Sequence, residues 1–243
     1  GSLVSTDPVA APVVEPVETP TPFAHRPNAV GSPPQHYGNP LGEQRALAAG
    51  SAIVDLSDRA VITVTGPDRL TWLDSLTSQS LAGLAAGASA ETLLLDPTGR
   101  LEHAIRVIDD GVTAWLLVDG AEGAPLAAWL DRMRFMLRVE VADRSADYAT
   151  FGTLAAPVAE ALRAVAATPN GIPLIWRDPW LDVAPGGHQY AHPAQHPAAG
   201  WTYAEVLVDR ADAAAAASLA DVPAAGTLAL EALRIAAWRP RLS

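Results

Sequence analysis

Residues 109–111 read Asp-Asp-Gly and stand between two apolar-rich runs, 100–108 and 112–118. An Asp-Gly step tolerates the positive φ angles that a tight antiparallel reversal demands, so the chain is committed to a β-hairpin near its middle. The surrounding segments fit strands on either side of it. Runs 53–56 and 60–64 are short and rich in β-branched residues, Thr92-Leu93-Leu94-Leu95 leads into the turn Asp96-Pro97-Thr98-Gly99, and 138–141 alternates polar with apolar; each reads as a strand. Two helices fall between them. Leu70, Leu73 and Leu76 with Trp72 form an apolar stripe from Gly66-Pro67-Asp68 to Gly83, and Leu126, Leu130, Met133 and Leu137 with Trp129 form another. Asp68 is placed to cap the first or to favour its dipole.

The second half repeats this grammar: strand over 148–154, helix over 155–167, strands over 172–176 and 203–208, and an Ala-rich helix over 212–219. A helix over 41–49 opens the ordered chain, and another over 231–238 is ended by Pro240. The fold class is α+β, with two mixed units. Residues 36–145 make the first, 146–225 the second, and 226–243 a helix packing back on the first. Residues 1–35 read as an extended or disordered arm, because nine prolines between 3 and 40 and few bulky apolar residues leave little to bury. The stretch 179–200, with Gly186-Gly187 and several prolines, reads as a long loop.

Composition narrows the chemistry. All 16 basic residues are arginine, against 27 Asp and Glu, for a net charge of −11, so neither DNA nor a membrane is an expected partner. The absence of Lys removes Schiff-base catalysis, pyridoxal phosphate anchoring and a P-loop lysine. The absence of Cys removes disulfides, thiolate catalysis and Cys-ligated clusters. No apolar run reaches the roughly 18 residues that span a bilayer, and the start lacks a signal-peptide pattern, which suits a cytoplasmic protein. Dinucleotide, Walker and nucleophile-elbow motifs are absent.

Some clusters have chemical potential. His188, His192 and His196 recur every four residues, but Pro193 and Pro197 forbid the helix that would align them as metal ligands. His103 sits in a strand beside Glu102, and strand neighbours face opposite sides, so the two cannot pair directly. Gly99 lets a ligand approach the Asp96–Gly99 turn, with Arg100 beside it. Arg132, Arg134 and Arg138 could hold a polyanionic tail such as polyglutamate, or be neutralised by Asp131, Glu140 and Asp143. Seven tryptophans in a chain with 49 alanines offer flat walls for a planar ring, or simply fill space.

Six segments in order carry a resemblance: the run from His36-Tyr37-Gly38-Asn39-Pro40 to Arg45, Val54-Asp55-Leu56-Ser57-Asp58-Arg59, Val64-Thr65-Gly66-Pro67-Asp68-Arg69 to Leu73, Leu95-Asp96-Pro97-Thr98-Gly99-Arg100, Met133-Arg134-Phe135-Met136-Leu137-Arg138 to Val141, and Glu231-Ala232-Leu233-Arg234-Ile235. They resemble the YgfZ-type folate-binding proteins, most closely the actinobacterial branch. That family is related to the T-protein (aminomethyltransferase) of the glycine cleavage system. The resemblance implies two mixed α/β subdomains around a central folate pocket. It also implies a C-terminal barrel, expected beyond Ser243 together with the family's Lys-Gly-Cys-Tyr-x-Gly-Gln-Glu motif.

The implied function is a tetrahydrofolate-binding accessory protein that supports iron–sulfur cluster assembly or repair, and thereby tRNA modification, with iron–sulfur proteins as partners. Its alternatives are a folate-dependent aminomethyltransferase-like enzyme and an interaction scaffold that has lost its ligand. Candidate pocket residues are Asp96, Arg100, Arg106, Arg138 and Arg234, the arginines as forks for the folate glutamate and Asp96 as acceptor for the pterin amines. The chain departs from the T-protein in several places. His103-Ala104 stands where that protein has a paired Asp-Asp after its turn, which removes the transfer carboxylate there. Glu91 replaces a Tyr, Thr77-Ser78-Gln79 the Thr-Asn-Asp of many relatives, and Trp238 a frequent Gly.

Overall fold

The computed structural model describes residues 23, 25–155, 157–182, 192 and 195–241. The first sheet contains β2 (Ala60–Thr65), β3 (Ser89–Leu95), β4 (Leu101–Asp109), β5 (Thr113–Val118) and β6 (Glu140–Asp143), in the order β3-β4-β5-β2-β6 with every pairing antiparallel. The second contains β1 (Ile53–Asp55), β7 (Tyr148–Leu154), β8 (Ile175–Arg177), β9 (Tyr203–Asp209) and β10 (Ala224–Ala225), in the order β10-β1-β7-β9-β8. The helices are α1 (Pro40–Ala48), α2 (Arg69–Leu76), α3 (Gly120–Met133), α4 (Val158–Ala164), α5 (Ala213–Leu219) and α6 (Thr227–Ala236).

The Asp-Gly hairpin joins β4 to β5, with Gly111 at φ +91°. One Asp110 oxygen accepts from the amides of Val112 and Thr113; the other accepts from Trp115 Nε1 and from Asn170 Nδ2, which ties the turn to the second half of the chain. Side-chain parity then builds four layers. Ile62, Val64, Leu116 and Val118 face α2 and α3, while Val61, Trp115 and Leu117 face the second sheet and meet Tyr148, Trp176 and Leu207. The outer face of the second sheet, with Ile53, Phe151 and Val206, is covered by Val158 and Leu162 of α4 and Leu219 of α5. Both faces of each sheet are therefore covered, and every residue of β5 and β7 is buried.

The two-unit α+β expectation is met, with chain crossings that local patterns do not contain. β1, inside the segment 36–145, pairs with β7 and runs parallel to β10 in the second sheet. Glu43 of α1 is buried and accepts from the amides of Tyr37, Asn39 and Gly226, which fixes the start of α6. The described end of the proline-rich arm is anchored. Phe23 is buried against Phe151, its amide donates to Asp55, and the Arg26 guanidinium donates to carbonyls at the end of α5. Residues 1–22 lie outside the described residues.

Four helices differ from the sequence expectation, and the first of these, α4, spans Val158–Ala164 and not 155–167. α2 stops at Leu76 because Asp74 takes the amides of Leu81 and Ala82 and turns the chain. α3 spans Gly120–Met133, so Leu137 of the expected stripe falls outside it, and Phe135 and Met136 are 81% and 90% exposed in the loop that follows. Asp68 does not cap α2; it binds the amide and guanidinium of Arg138, which leads that loop into β6. α6 begins at Thr227, four positions before the predicted start, on amides that donate to the carbonyls of Pro34 and Gln35.

Helix α3 sits tightly on the sheet at Gly123, where an added Cβ would stand 2.3 Å from Cβ of Ala60. On an exposed helix Gly→Ala stabilises by about 1 kcal/mol. Gly123→Ala is expected to do the opposite and cost about 1–3 kcal/mol through overpacking. Urea unfolding reads this as a lower midpoint at unchanged slope; a gain in stability would contradict the close seating of α3.

Candidate functional site

The same parity that builds the core sends charge into it. On β4, Ile105 and Val107 face the helices, so Ala104, Arg106 and Ile108 face the second sheet. On β9, Val206 and Val208 face outward, so Tyr203, Glu205 and Leu207 face the first sheet. Arg59, in the tight turn between β1 and β2, reaches the same point. Glu205 is fully buried: Oε1 accepts from Arg59 at 2.9 Å and from the Tyr203 hydroxyl at 2.8 Å, with Arg106 Nε at 3.4 Å. Arg59 also donates to Asp119 at the end of β5.

Above this cluster the sheets part into a cleft of about 470 Å³, lined by Arg59, Arg106, Tyr203 and Trp201 on one side and by the C-terminal end of α6 on another. Arg239 crosses it, donating to Asp178 after β8 at 2.9 Å and to Glu91 of β3. Trp201 Nε1 donates to the same Asp178 carboxylate, and Trp180 Nε1 to the carbonyl of Ala237, so the far end of α6 is held to both sheets. Trp201 and Tyr203 pack as tilted rings 5.2 Å apart, and the Arg106 guanidinium lies 5.4 Å from the Trp176 ring.

The electrostatics follow from burial and pairing. Burial pushes the Glu205 carboxyl up, but Arg106 and Arg59, with the Tyr203 hydroxyl, outweigh it and hold it below the usual carboxylate range. Burial and the neighbouring Glu205 push the Tyr203 phenol well above its ordinary value, which keeps it a donor. Burial also acts against ionisation of Asp119, and Arg59 and Arg241 overcome it. Among the described residues seven buried side-chain polar atoms lack a partner, and three of them, Arg59 Nε, Arg106 Nε and Glu205 Oε2, belong to this one cluster. These atoms are shielded from solvent, so the cluster is under-bonded where it lies beneath the cleft.

Two sequence candidates, Arg106 and Arg234, line the cleft; three stand elsewhere. Asp96 spends one oxygen on its own turn, accepting from the amides of Thr98 and Arg100 and from the Thr98 hydroxyl, and these bonds hold its carboxyl below the usual range. Arg100 is exposed at the hairpin tip. Arg138 is committed to Asp68 with its side chain 74% exposed. Arg234 pairs with Glu231 one turn back. His103 has no hydrogen bond at Nδ1, which lies 3.5 Å from Glu122 Oε2. His196 is buried, accepts from the amide of Ala198 and packs between Trp180 and Trp238; His188 lies outside the described residues.

Sequence reasoning missed Arg59, Glu205, Arg239 and Asp178. Glu205 had a visible signal, a carboxylate on the inward side of an otherwise apolar strand, but its two arginine partners come from sequence positions 146 and 99 residues away.

Against known proteins, the chain is similar in sequence to the aminomethyltransferase of Herpetosiphon aurantiacus, at 28% identity over 132 residues that make up 54% of this chain and 36% of that protein. The crystal structure of glycine cleavage system aminomethyltransferase T from Bartonella henselae shares its fold, with a TM-score of 0.66 at 17% identity over 88% of this chain and 60% of that one. The matched region is thus little more than a third of the curated relative and three fifths of the solved one. No family model matches the chain. The fold is that of an aminomethyltransferase, and among the described residues its strands form two open sheets and no closed barrel.

Glu205→Gln keeps the shape and removes the charge between two buried arginines. We expect a loss of about 3–5 kcal/mol at pH 7. Because the folded carboxyl titrates below its unfolded value of about 4.3, its stabilisation is complete above that value and is lost as pH falls through the folded one. The gap between variant and wild type therefore shrinks toward pH 3 in urea unfolding; a gap independent of pH would contradict the pairing.

Proposed function

We propose that the cleft binds tetrahydrofolate. The observation that carries this reading is the Arg106 guanidinium, which lines the cleft with no hydrogen bond to any described residue, beside a wall that includes Trp201 and Tyr203. A pterin edge carries ring nitrogen and carbonyl acceptors that a guanidinium can answer. Its flat ring suits the faces of Trp201 and Tyr203. The cleft lies within the size range of sites for ligands of this class. Arg234 and Arg241, which also line the cleft, would meet the glutamate carboxylates by exchanging their present partners Glu231 and Asp119. The acceptor role expected of Asp96 falls instead to a carboxylate that lines the cleft, such as Glu122, since Asp96 is occupied in its own turn.

The role that the family resemblance suggests is an accessory one: folate is held, not turned over, in support of iron–sulfur cluster assembly or repair and so of tRNA modification, with iron–sulfur proteins as clients. The apolar Ala104 on the cleft wall, where a transfer enzyme would present a carboxylate from that strand, favours binding without transfer. A second reading, aminomethyl transfer, is favoured by the relatives' own activity and by Asp119 and Glu122 on the same wall.

Titration calorimetry with tetrahydrofolate is expected to show one saturable site. Arg106→Ala should weaken binding at least tenfold, since a hydrogen bond to a charged group is worth about 1.5–3 kcal/mol. Absence of binding would sink the folate reading. In a glycine-cleavage assay with the partner components supplied, no methylene-folate or ammonia is expected; their production would replace the accessory role with the enzymatic one.

A further inference from the structure

The aromatic wall of the cleft is covered. Trp201 and Tyr203 line it, yet they are only 3% and 5% exposed. A planar ring needs an accessible face to stack on, so this wall is shut in the conformation described.

The segment 237–241, which follows α6, spans the cleft in front of it and is attached at three positions. The Ala237 carbonyl accepts from Trp180 Nε1 at 2.8 Å, and the Arg241 guanidinium donates to Asp119 at 3.1 Å. Between them the Arg239 side chain donates to Asp178 at 2.9 Å on the second-sheet wall and to Glu91 on the first-sheet wall, while its carbonyl accepts from Arg234. The Arg239 side chain is 12% exposed and its guanidinium lies 5.7 Å from the Trp180 ring, so it fills cleft space and does not lie out in solvent. Asp178 is the pivot. The oxygen that accepts from Arg239 also accepts from Trp201 Nε1 at 2.8 Å, so the wall and the crossing arginine are fixed through one atom. These attachments are ion pairs and hydrogen bonds between opposite walls, and such contacts can be exchanged without unpacking either sheet.

We propose that the segment 237–241 is a latch that alternates between the closed position described and one in which Arg239 has left Glu91 and Asp178, and that only the second admits a planar ligand to Trp201 and Tyr203. The nature of that ligand rests on the folate reading; the closure rests on the contacts above. When the closed form does not bind, the apparent affinity is reduced by the fraction of molecules that are open, so loosening the latch raises it. A contact that only braced the wall would do the reverse, because its loss would disorder the surface on which the ring stacks.

Two variants of the full chain test this. Arg239→Gln removes both ion pairs, whereas Glu91→Gln removes one and leaves Asp178 paired, which keeps it folded where the first is not. In hydroxyl-radical footprinting, oxidation of Trp201 is expected to rise about threefold in Arg239→Gln and by a smaller factor in Glu91→Gln, with Trp115 of the core unchanged. In stopped-flow mixing with tetrahydrofolate, Arg239→Gln is expected to associate roughly tenfold faster than wild type and to bind more tightly. If Trp115 of Arg239→Gln is also oxidised, that variant has unfolded and Glu91→Gln decides. A folded variant in which Trp201 stays as protected as in wild type, or which associates no faster, would overturn the latch. Trp201 unmasked in a folded variant, with no binding of tetrahydrofolate by either variant or wild type, would overturn the folate reading and leave the latch standing.

Discussion

The buried carboxylate of Glu205 in one sheet is shared by an arginine of the other sheet and an arginine of the turn between them. Glu205 comes from the second sheet, Arg106 from the first, and Arg59 from the turn that leads from one sheet to the other. Burying such a group is an expensive way to hold two sheets together, since packed apolar side chains of similar volume would serve stability as well or better. The neighbouring interior shows that alternative in use: Trp115, Leu117, Trp176 and Leu207 fill the same inter-sheet space without charge. The ion cluster occurs where that packing gives way to the cleft, and its Arg59 and Arg106 line the cleft as well.

The cleft is shaped by contacts that are long-range in sequence. Arg239, just past α6, grips Asp178 and Glu91 on opposite sheets, while Glu43 near the start of the described chain fixes where α6 begins. Trp176 donates to the carbonyl of Ala90 and so sets the approach of β8 to β3 beside the opening. The walls of the site thus depend on both ends of the chain. Disturbing α6 would widen the cleft without touching Glu205.

The strands and the hairpin could be read from residue patterns because they are local: Asp-Gly at 110–111, a β-branched run at 60–64 and an apolar heptad in α3 each act within a few residues. β10 has two residues and no periodicity to betray it, and the parallel pairing of β1 with β10 needs 170 residues of intervening chain to be placed first. The site divided in the same way. Arg106 and Arg234 were recognisable as forks that reach the cleft, though Arg234 shares its guanidinium with Glu231, while Asp96 and Arg138 had strong local partners, in Thr98 and Asp68, and stand away from it. Parity alone would have turned Glu205 inward. What no local pattern supplies is that two arginines, one from the turn between β1 and β2 and one from β4, converge on it.

The most direct test is a structure of the protein crystallised with tetrahydrofolate. The account predicts pterin density in the cleft between the sheets, its ring against Trp201 and Tyr203 and its polar edge within hydrogen-bond distance of Arg59 or Arg106. Density for the ring on any other surface, with this cleft closed or filled only by solvent, would contradict it.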